Sequence, residues 1–244
     1  MSMTTESISK IGINHPLIID HSDTNGTGIC NPSILNLDNK LYINIRMLNY
    51  TLYHSIGAKG WMKEGGKYQS RWGPLTYVHP EDDHRLVTEN FLGVWGENPK
   101  FKKISMKLDT KSIWSFVGLE DARLVNWNKK IYVTGVRRDT TKNGQGRMEL
   151  SEIVDLSSNP KEVSRVRIEH PTDTTRYCEK NWMPVKDMPF HYIMDANPTR
   201  LVKVNPKTGA CKIVYDGDKL EIDGNMRGSS QVIKYKDGFF TVVH

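Results

Sequence analysis

The sequence lacks several features that would restrict its function. Its 244 residues include no apolar run near the roughly 18 residues needed to cross a bilayer, and the first ten are polar, without the apolar core of a signal peptide. The three cysteines, Cys30, Cys178 and Cys211, are widely spaced, odd in number and never form a Cys-x-x-Cys pair. Neither a disulfide framework nor a zinc knuckle is expected. These absences predict a soluble, cytoplasmic protein with reduced thiols and no membrane partner.

Helix signals are also scarce, since no window shows a capped apolar repeat of 3.6 residues. The composition, 37% hydrophobic and 25% charged, is that of an ordinary globular protein. A chain of this length fits one β-barrel or propeller, so we predict a single domain over residues 1–244 with a long insertion at about 55–115. The formal charge of +6 favours anionic partners such as phosphorylated sugars, nucleotides or nucleic acid, although a solvated basic surface has the same composition.

Strand signals, by contrast, are abundant. Eight short segments are rich in β-branched or aromatic residues and are bounded by Asn, Asp, Gly or Pro. They are 40–46, 130–136, 163–168, 190–194, 200–204, 211–215, 231–235 and 239–243. Hairpin turn signals stand at Asp38-Asn39, Asn128-Lys129, 207–209 and 236–238. The sequence therefore predicts an all-β protein built largely from hairpins.

A weak internal repeat refines this prediction. A polar loop motif, a first strand, a short turn and a second strand ending in a polar or charged group recur four times, in 31–46, 120–137, 179–195 and 227–244. Four hairpin units at uneven spacing are typical of a small β-propeller with one inner hairpin per blade and insertions between blades. We therefore predict a β-propeller.

In a propeller the starts of the inner strands converge on a central funnel, which would collect the polar residues of the four units. Those residues are Asn31, Arg46, Glu120, Asp121, Arg123, Lys180, Asn181, Asp195, Arg227 and His244. Carboxylates, cations and amides in one pocket suit a polyhydroxylated ligand that carries a phosphate. Taken singly, Asn31 is better explained by a turn and Arg123 by an internal salt bridge. The recurrence of the unit favours a shared site.

Four motifs in this order resemble the blade motifs of a known enzyme group. They are Asn31-Pro32 with Arg46, the stretch 118–123, the stretch 179–184, and Arg227-Gly228 leading to 242–244. They are similar to those of the five-bladed β-propeller glycoside phosphorylases and hydrolases of glycoside hydrolase family 130, and of the related β-mannosyltransferases that use sugar phosphates. The resemblance spans about residues 28–244. It implies a five-bladed propeller, with an inverting reaction at a glycosidic bond and β-mannosides as substrates.

The resemblance also implies roles for individual residues. Asp121 matches the catalytic acid, which protonates the glycosidic oxygen through a sugar hydroxyl while phosphate attacks the anomeric carbon from the opposite face. The implied sugar-binding residues are Asn31, Arg46, Glu120, Asn181 and Asp195. The implied phosphate-binding residues are Arg138, Lys180, Arg227 and His244. Arg123 is expected to hold its strand. No metal and no cofactor are expected, because inorganic phosphate or a sugar phosphate is itself the substrate.

The sequence departs from the family at several positions. Ala122 stands where many members have proline, and Asp195 stands where phosphorylases tend to have a basic residue. The stretch 179–182 is closer to the transferase-like relatives. Phosphorolysis, hydrolysis and glycosyl transfer therefore all stay open, with synthesis slightly favoured. The chain ends on an apolar strand where the family continues into a last blade, so a C-terminally incomplete blade is expected.

Two other classes of function compete with this prediction. One is a non-catalytic propeller or β-sandwich that binds glycan, nucleic acid or a protein partner. The other is a glycosyltransferase that modifies a large acceptor, such as nucleic acid or glycan, from a nucleotide sugar. Both would use the basic, aromatic stretches 59–63 and 67–72, whose composition is typical of single-strand binding surfaces. Sugar identity, linkage and oligomeric state stay open.

Overall fold

The computed structural model describes residues 28–54, 69–72, 75–78, 85–96, 99–107, 116–141, 143–221 and 226–244, with the backbone alone for 51–54, 69–72 and 75–78. These described residues form β-strands, turns and loops, and they contain no helix. Nearly all strand pairs are antiparallel, the exception being β6 with β8. The all-β prediction is confirmed.

The described strands follow one another along the chain with short connections in most places. They are β1 (Gly28–Leu37), β2 (Lys40–Leu48), β3 (Thr51–His54), β4 (Gln69–Trp72), β5 (Leu75–Val78), β6 (Leu86–Val94), β7 (Lys102–Lys103), β8 (Phe116–Val117), β9 (Leu119–Trp127), β10 (Lys130–Arg137), β11 (Arg147–Val154), β12 (Lys161–Arg167), β13 (Met183–Pro184), β14 (His191–Asp195), β15 (Arg200–Val204), β16 (Cys211–Asp216), β17 (Ile233–Tyr235) and β18 (Gly238–Phe240).

Three main sheets take their strands in chain order. The first sheet has the order β1-β2-β6-β7, with β8 added beside β6. The second sheet runs from β9 to β12 and the third from β13 to β16, each as a simple antiparallel succession. A C-terminal hairpin of β17 and β18 follows, and β3, β5 and β4 make a separate small sheet. Of the expected insertion at 55–115, β6 and β7 belong to the first sheet, and part of the remainder lies outside the described residues.

The tight hairpins follow from their turn residues. Asp38 and Asn39 have φ of 50° and 60°, and Asn128 and Lys129 have φ of 52° and 63°. Positive φ at both central positions is the type I′ turn, whose twist matches that of the flanking strands. All four predicted turns join paired strands, so the hairpin predictions are confirmed. The predicted last strand, 239–243, is shorter than expected because β18 ends at Phe240.

The sheets pack face to face in the same order. Leu35 of the first sheet shares a core with Leu124 and Val133 of the second. Trp127 of the second sheet packs edge-on against Tyr192 of the third, with 5.3 Å between the ring centroids. Met183 of the third sheet and Val185, which directly follows β13, pack with Val232 next to the C-terminal hairpin. Each sheet therefore buries an apolar face against its neighbour in the sequence.

The described residues include no helix that is long and apolar enough to span a membrane.

Candidate functional site

The starts of the sheets share an unusual backbone conformation. Asn31, Asp121 and Asn181 have φ of 49°, 52° and 67°, and each lies at or just before the first strand of one of the three main sheets. Asn and Asp are the side-chain-bearing residues that adopt this left-handed region most readily. Such residues cluster at functional sites, where strain is supported by the surrounding structure. Three of the predicted motifs thus carry the same local geometry.

The carboxylates of Glu120 and Asp121 meet an arginine from the first sheet. Arg46 Nη1 donates a hydrogen bond to Asp121 Oδ1 over 2.7 Å, and its Nη2 lies 3.4 Å from Glu120 Oε2. Asn31 Nδ2 donates to the same Asp121 Oδ1. Both carboxylate side chains are 15% exposed, so a small ligand can reach them. We call Asn31, Arg46, Glu120 and Asp121 the carboxylate site.

Hydrogen bonds to Thr88 in its own sheet and to Tyr50 after β2 hold the guanidinium of Arg46 in place. Its Nε and Nη2 lie 3.3 and 3.1 Å from Thr88 Oγ1, and Nη2 also donates to the hydroxyl of Tyr50 over 3.1 Å. Burial alone would lower the pKa of Arg46, but Glu120, Tyr50 and Asp121 together raise it above its ordinary value. Arg46 is therefore a fixed cation that bridges the two carboxylates.

The backbone before Glu120 is held by buried amides and a glycine. Asn44 Nδ2 donates to Asn90 Oδ1 over 3.0 Å, and Asn90 Nδ2 donates to the carbonyl of Leu119 over 2.9 Å. Gly118 has φ of 101°, and a Cβ there would collide with the backbone carbonyl of Thr88. Only glycine fits this close approach. It brings the start of the second sheet against β6, the strand whose Thr88 accepts a hydrogen bond from Arg46. Sequence reasoning did not identify Asn44 or Asn90, although amides within apolar strands are the relevant signal.

Arg123 has a structural role, as predicted from the sequence. Its Nε donates to the carbonyl of Ser229 over 3.0 Å, its Nη2 to that of Gly228 over 2.8 Å, and its Nη1 lies 3.4 Å from that of Trp182. Burial lowers the pKa of Arg123, and Asp121 opposes that effect. The guanidinium links the second sheet to the starts of the two later units.

Further hydrogen bonds connect the starts of all four units. Leu124 N donates to Ser33 Oγ over 2.8 Å, which joins β9 to β1. Gln231 Nε2 donates to the carbonyl of Ile34 over 2.6 Å, which joins the C-terminal unit back to β1. Together with the contacts of Arg123, these bonds pass from the first unit through the later ones and return to the first.

Two of the predicted phosphate-binding residues lie near the carboxylate site. Arg138 follows β10 directly, and its Nη2 donates to Cys178 Sγ over 3.5 Å. Burial raises the pKa of the Cys178 thiol, Arg138 and Lys180 lower it, and Glu120 raises it further. Arg138 therefore contacts the residue that lies two positions before Lys180 in the chain. Asn181, the neighbour of Lys180, is half-buried.

The other two predicted phosphate-binding residues pair with each other through the backbone. Arg227 N donates to the carbonyl of His244 over 2.8 Å, and His244 N donates back over 2.9 Å. His244 Nδ1 lies 2.5 Å from Ser229 Oγ. Both residues are exposed. The carbonyl of Ser229 accepts the bond from Arg123, so this pair lies next to Arg123, without a described contact to Asp121.

The carboxylate of Asp195 forms an ion pair within its own sheet. Its Oδ2 accepts a hydrogen bond from Arg200 Nη1 over 3.0 Å, and Arg200 Nε donates to Asp216 at the same distance. No contact among the described residues brings Asp195 to the carboxylate site. The pairing agrees with the sequence, since Asp195 and Arg200 flank the short turn between β14 and β15.

A larger set of charges, which sequence reasoning missed, is buried in the second sheet. We call it the buried charge network; its members are Arg137, Asp139, Glu149, Arg165 and Arg167. Arg137 Nε donates to Asp139 Oδ1 over 3.0 Å, and its Nη2 donates to the carbonyl of Lys107 over 2.6 Å. Glu149 accepts from Thr140 Oγ1 over 2.7 Å and lies within 3.6 Å of Arg165 and Arg167. The side chains of Arg137 and Glu149 are 0% and 1% exposed.

Glu179 also proves to be structural. It is buried, and it accepts hydrogen bonds from Trp182 Nε1 over 3.1 Å and from Arg176 Nη1 over 2.8 Å. His170 Nε2 lies 3.9 Å from its Oε1, and burial lowers the pKa of His170. Glu179 and Trp182 thereby fix the loop that carries Lys180 and Asn181.

Among the described residues, no three or more His, Cys, Asp or Glu side chains are grouped to hold a metal ion. Of the basic stretches, 59–63 lies outside the described residues and 67–72 is described only in part. Searches among known protein families, curated proteins and solved structures found no match. The resemblance to glycoside hydrolase family 130 therefore stays a prediction.

Proposed function

We propose that this chain is a carbohydrate-active enzyme that makes or breaks a glycosidic bond, with β-mannosides as its substrate class, by inverting transfer to or from phosphate. The observation that carries the proposal is the setting of Asp121. It combines a left-handed backbone, partial exposure and two donors from another sheet on a single oxygen. Arg138, whose described side-chain hydrogen bonds go to neutral groups, and the exposed Lys180 would supply positive charge for a phosphate.

The proposed architecture is a five-bladed β-propeller. Three sheets of strands in chain order, each packed on the next, are the expected form of successive blades. The bonds from Leu124 to Ser33 and from Gln231 to Ile34 support a circular arrangement of the inner strands. The C-terminal hairpin would be the inner half of a fourth blade. In this arrangement the carboxylate site faces the central funnel.

The chemistry assigned to Asp121 follows from its hydrogen bonds. Both bonds that its side chain accepts among the described residues end on Oδ1, so Oδ2 is the oxygen that can meet a sugar hydroxyl. In phosphorolysis the C–O bond of the glycoside breaks, the leaving oxygen takes a proton relayed from Asp121, and a phosphate oxygen bonds to the anomeric carbon from the opposite face. The configuration at that carbon inverts.

Synthesis is the same path in reverse. The acceptor hydroxyl attacks the anomeric carbon of a sugar 1-phosphate, phosphate leaves with the bonding electrons, and Asp121 takes the hydroxyl proton through the same relay. An ionised carboxylate is only an acceptor of hydrogen bonds. Arg46 and Asn31 both donate to Oδ1 of Asp121, so Oδ2 is the oxygen that would accept this proton.

The proposal is tested by a release assay. The protein is incubated with mannose 1-phosphate or a nucleotide-linked mannose and a set of acceptor sugars, and liberated phosphate or nucleotide is measured. We expect release from mannose 1-phosphate, and a loss of at least about 100-fold in Asp121→Asn with donor binding nearly intact. Asp155→Asn is the matched control, because Asp155 also has a left-handed backbone and pairs with Lys161 on the surface.

Two results would overturn the proposal. Full turnover in Asp121→Asn would remove the assigned acid–base residue. Sugar binding without release from any donor would instead favour a non-catalytic glycan-binding module.

A further inference from the structure

Two consecutive arginines, Arg137 and Arg138, have different partners. Arg137 lies in the buried charge network and donates to Asp139. Arg138 has no carboxylate within ion-pair distance among the described residues. Its hydrogen bonds are long ones to neutral groups, 3.3 Å to the hydroxyl of Tyr177 and 3.5 Å to Cys178 Sγ. Its buried Nε has no described hydrogen-bond partner. A guanidinium has five N–H donors, so Arg138 keeps capacity for an anion.

Aromatic rings set the position of this arginine. The guanidinium carbon of Arg138 lies 5.0 Å from the centroid of the Phe116 ring and 5.3 Å from that of Tyr177. Both distances are within the range of cation–π attraction. Contact through ring faces holds a planar guanidinium and leaves N–H groups at its edge for a bidentate partner. Phe116 lies just before the stretch 118–121, and Tyr177 lies just before Lys180.

The local charges favour an anion at this point. Arg138 donates to Cys178 Sγ, and Cys178 lies two residues before Lys180 in the chain. The carboxylates on the neighbouring strand β9, Glu120 and Asp121, are already paired with Arg46, and Glu179 is paired with Arg176. A phosphate beside Arg138 would therefore meet a guanidinium without a described carboxylate partner, next to carboxylates that already have their own cations.

We propose that Phe116 and Tyr177 are positioning residues that hold Arg138 as the receptor for a phosphate group, and that Tyr177 thereby sets the affinity for phosphate rather than for the sugar. The inference rests on the proposed function for the identity of the anion. The phosphate is that of free inorganic phosphate or of a sugar 1-phosphate, two sources with the same chemistry.

Calorimetric titration with inorganic phosphate, and separately with mannose 1-phosphate, tests the proposal without any turnover. Tyr177→Leu should weaken phosphate binding about threefold to tenfold, because a cation–π contact is lost. Tyr177→Phe keeps the ring and should stay within about twofold, since only a long neutral hydrogen bond is lost. Arg138→Gln should weaken binding more than about tenfold. Tyr177 is 47% exposed, so these variants are expected to fold.

The matched control is Tyr235→Leu. Tyr235 is an exposed tyrosine whose ring centroid lies 5.3 Å from Lys236 Nζ, the same separation as for Tyr177 and Arg138, but it lies on the C-terminal hairpin. Its loss should leave phosphate affinity unchanged. Binding of mannose 1-phosphate without binding of free phosphate would identify the sugar phosphate as the source.

The outcomes separate this inference from the proposed function. Weaker phosphate binding in Tyr177→Leu, in a protein that turns over no donor, would support the positioning role and contradict the proposed catalysis. Unchanged affinity for the bound phosphate compound in Tyr177→Leu, or binding of neither inorganic phosphate nor mannose 1-phosphate by the wild type, would overturn the positioning role whatever the turnover. Where turnover occurs, the KM for phosphate should rise while kcat and the KM for the sugar stay the same. A purely structural role would change these and the Tm together.

Discussion

The carboxylate site and the buried charge network are built from the same residue types and lie at the same end of the second sheet. In the network, Arg137 and Glu149 are almost fully buried and their main partners are protein groups. In the carboxylate site, Glu120 and Asp121 keep partial exposure, and both described bonds to Asp121 end on one oxygen. Burial, rather than residue type, distinguishes a structural cluster from a candidate reactive one.

The two clusters should also respond differently to substitution. Removing one partner of a buried ion pair leaves an uncompensated charge in a low-dielectric interior, which is strongly destabilising. Removing a partly exposed charge leaves water able to solvate its former partner. Substitutions in the network should therefore mainly lower stability, whereas substitutions in the carboxylate site should mainly lower activity.

The largest effect is expected for Arg137→Met. Asp139 and Glu149 would lose their buried cation, and we expect a decrease of about 3 to 5 kcal/mol in the free energy of unfolding, measured by urea titration. The adjacent Arg138→Met serves as the control, with an expected loss of about 1 kcal/mol from its cation–π contacts. Equal losses in the two variants would contradict the distinction between the clusters.

Arg123→Met should have an intermediate effect. It tests whether Arg123 stabilises the fold or belongs to the carboxylate site. The buried carbonyl of Gly228 and its neighbours would lose their donor, which we expect to cost about 2 to 3 kcal/mol in urea titration. Hydrogen exchange should show the C-terminal hairpin opening first. The exposed Arg227→Met is the control and should be near neutral. If Arg123→Met kept full stability, Arg123 would have to be reassigned from the fold to the site.

The smallest effect is a pH dependence that comes from Glu149. Burial raises the pKa of Glu149 in the folded protein, although Arg137, Arg165 and Arg167 oppose this. The folded state then holds this proton more tightly than the unfolded state, so the contribution is present below the ordinary pKa of glutamate and is lost as pH rises through the raised value. The difference in unfolding free energy between wild type and Glu149→Gln should therefore become less favourable to the wild type as the pH rises above about 4. A shift in the opposite direction would show that the arginines dominate.

The local features of the fold were predictable from the sequence. Strands such as β2, β10 and β15 alternate β-branched or aromatic residues between turn signals, and Asp38-Asn39 favours one turn type. Strand β11 was missed because Arg147, Glu149 and Ser151 make it look solvent-exposed. In the structure these side chains are buried. Their compensating partners are brought together only by the fold.

The candidate site was predictable in part for the same reason. Motif order placed Asn31, Arg46, Glu120 and Asp121 together, and they do meet. Nothing local in the sequence shows that Arg46 bridges both carboxylates, since they are contributed by another sheet. Asp195 was expected at the site, yet Arg200 across the β14–β15 turn takes its carboxylate. Pairs within one hairpin could have been recognised from the sequence, whereas contacts between sheets could not.

The most direct test of the account measures unfolding free energy and donor turnover together in Asp121→Asn. Asparagine keeps the left-handed backbone readily and retains an oxygen for Arg46 and Asn31. We expect stability within about 1 kcal/mol of the wild type, or slightly above it, with turnover lost by at least about 100-fold. Unchanged turnover, or a loss of stability as large as that of Arg137→Met, would contradict it.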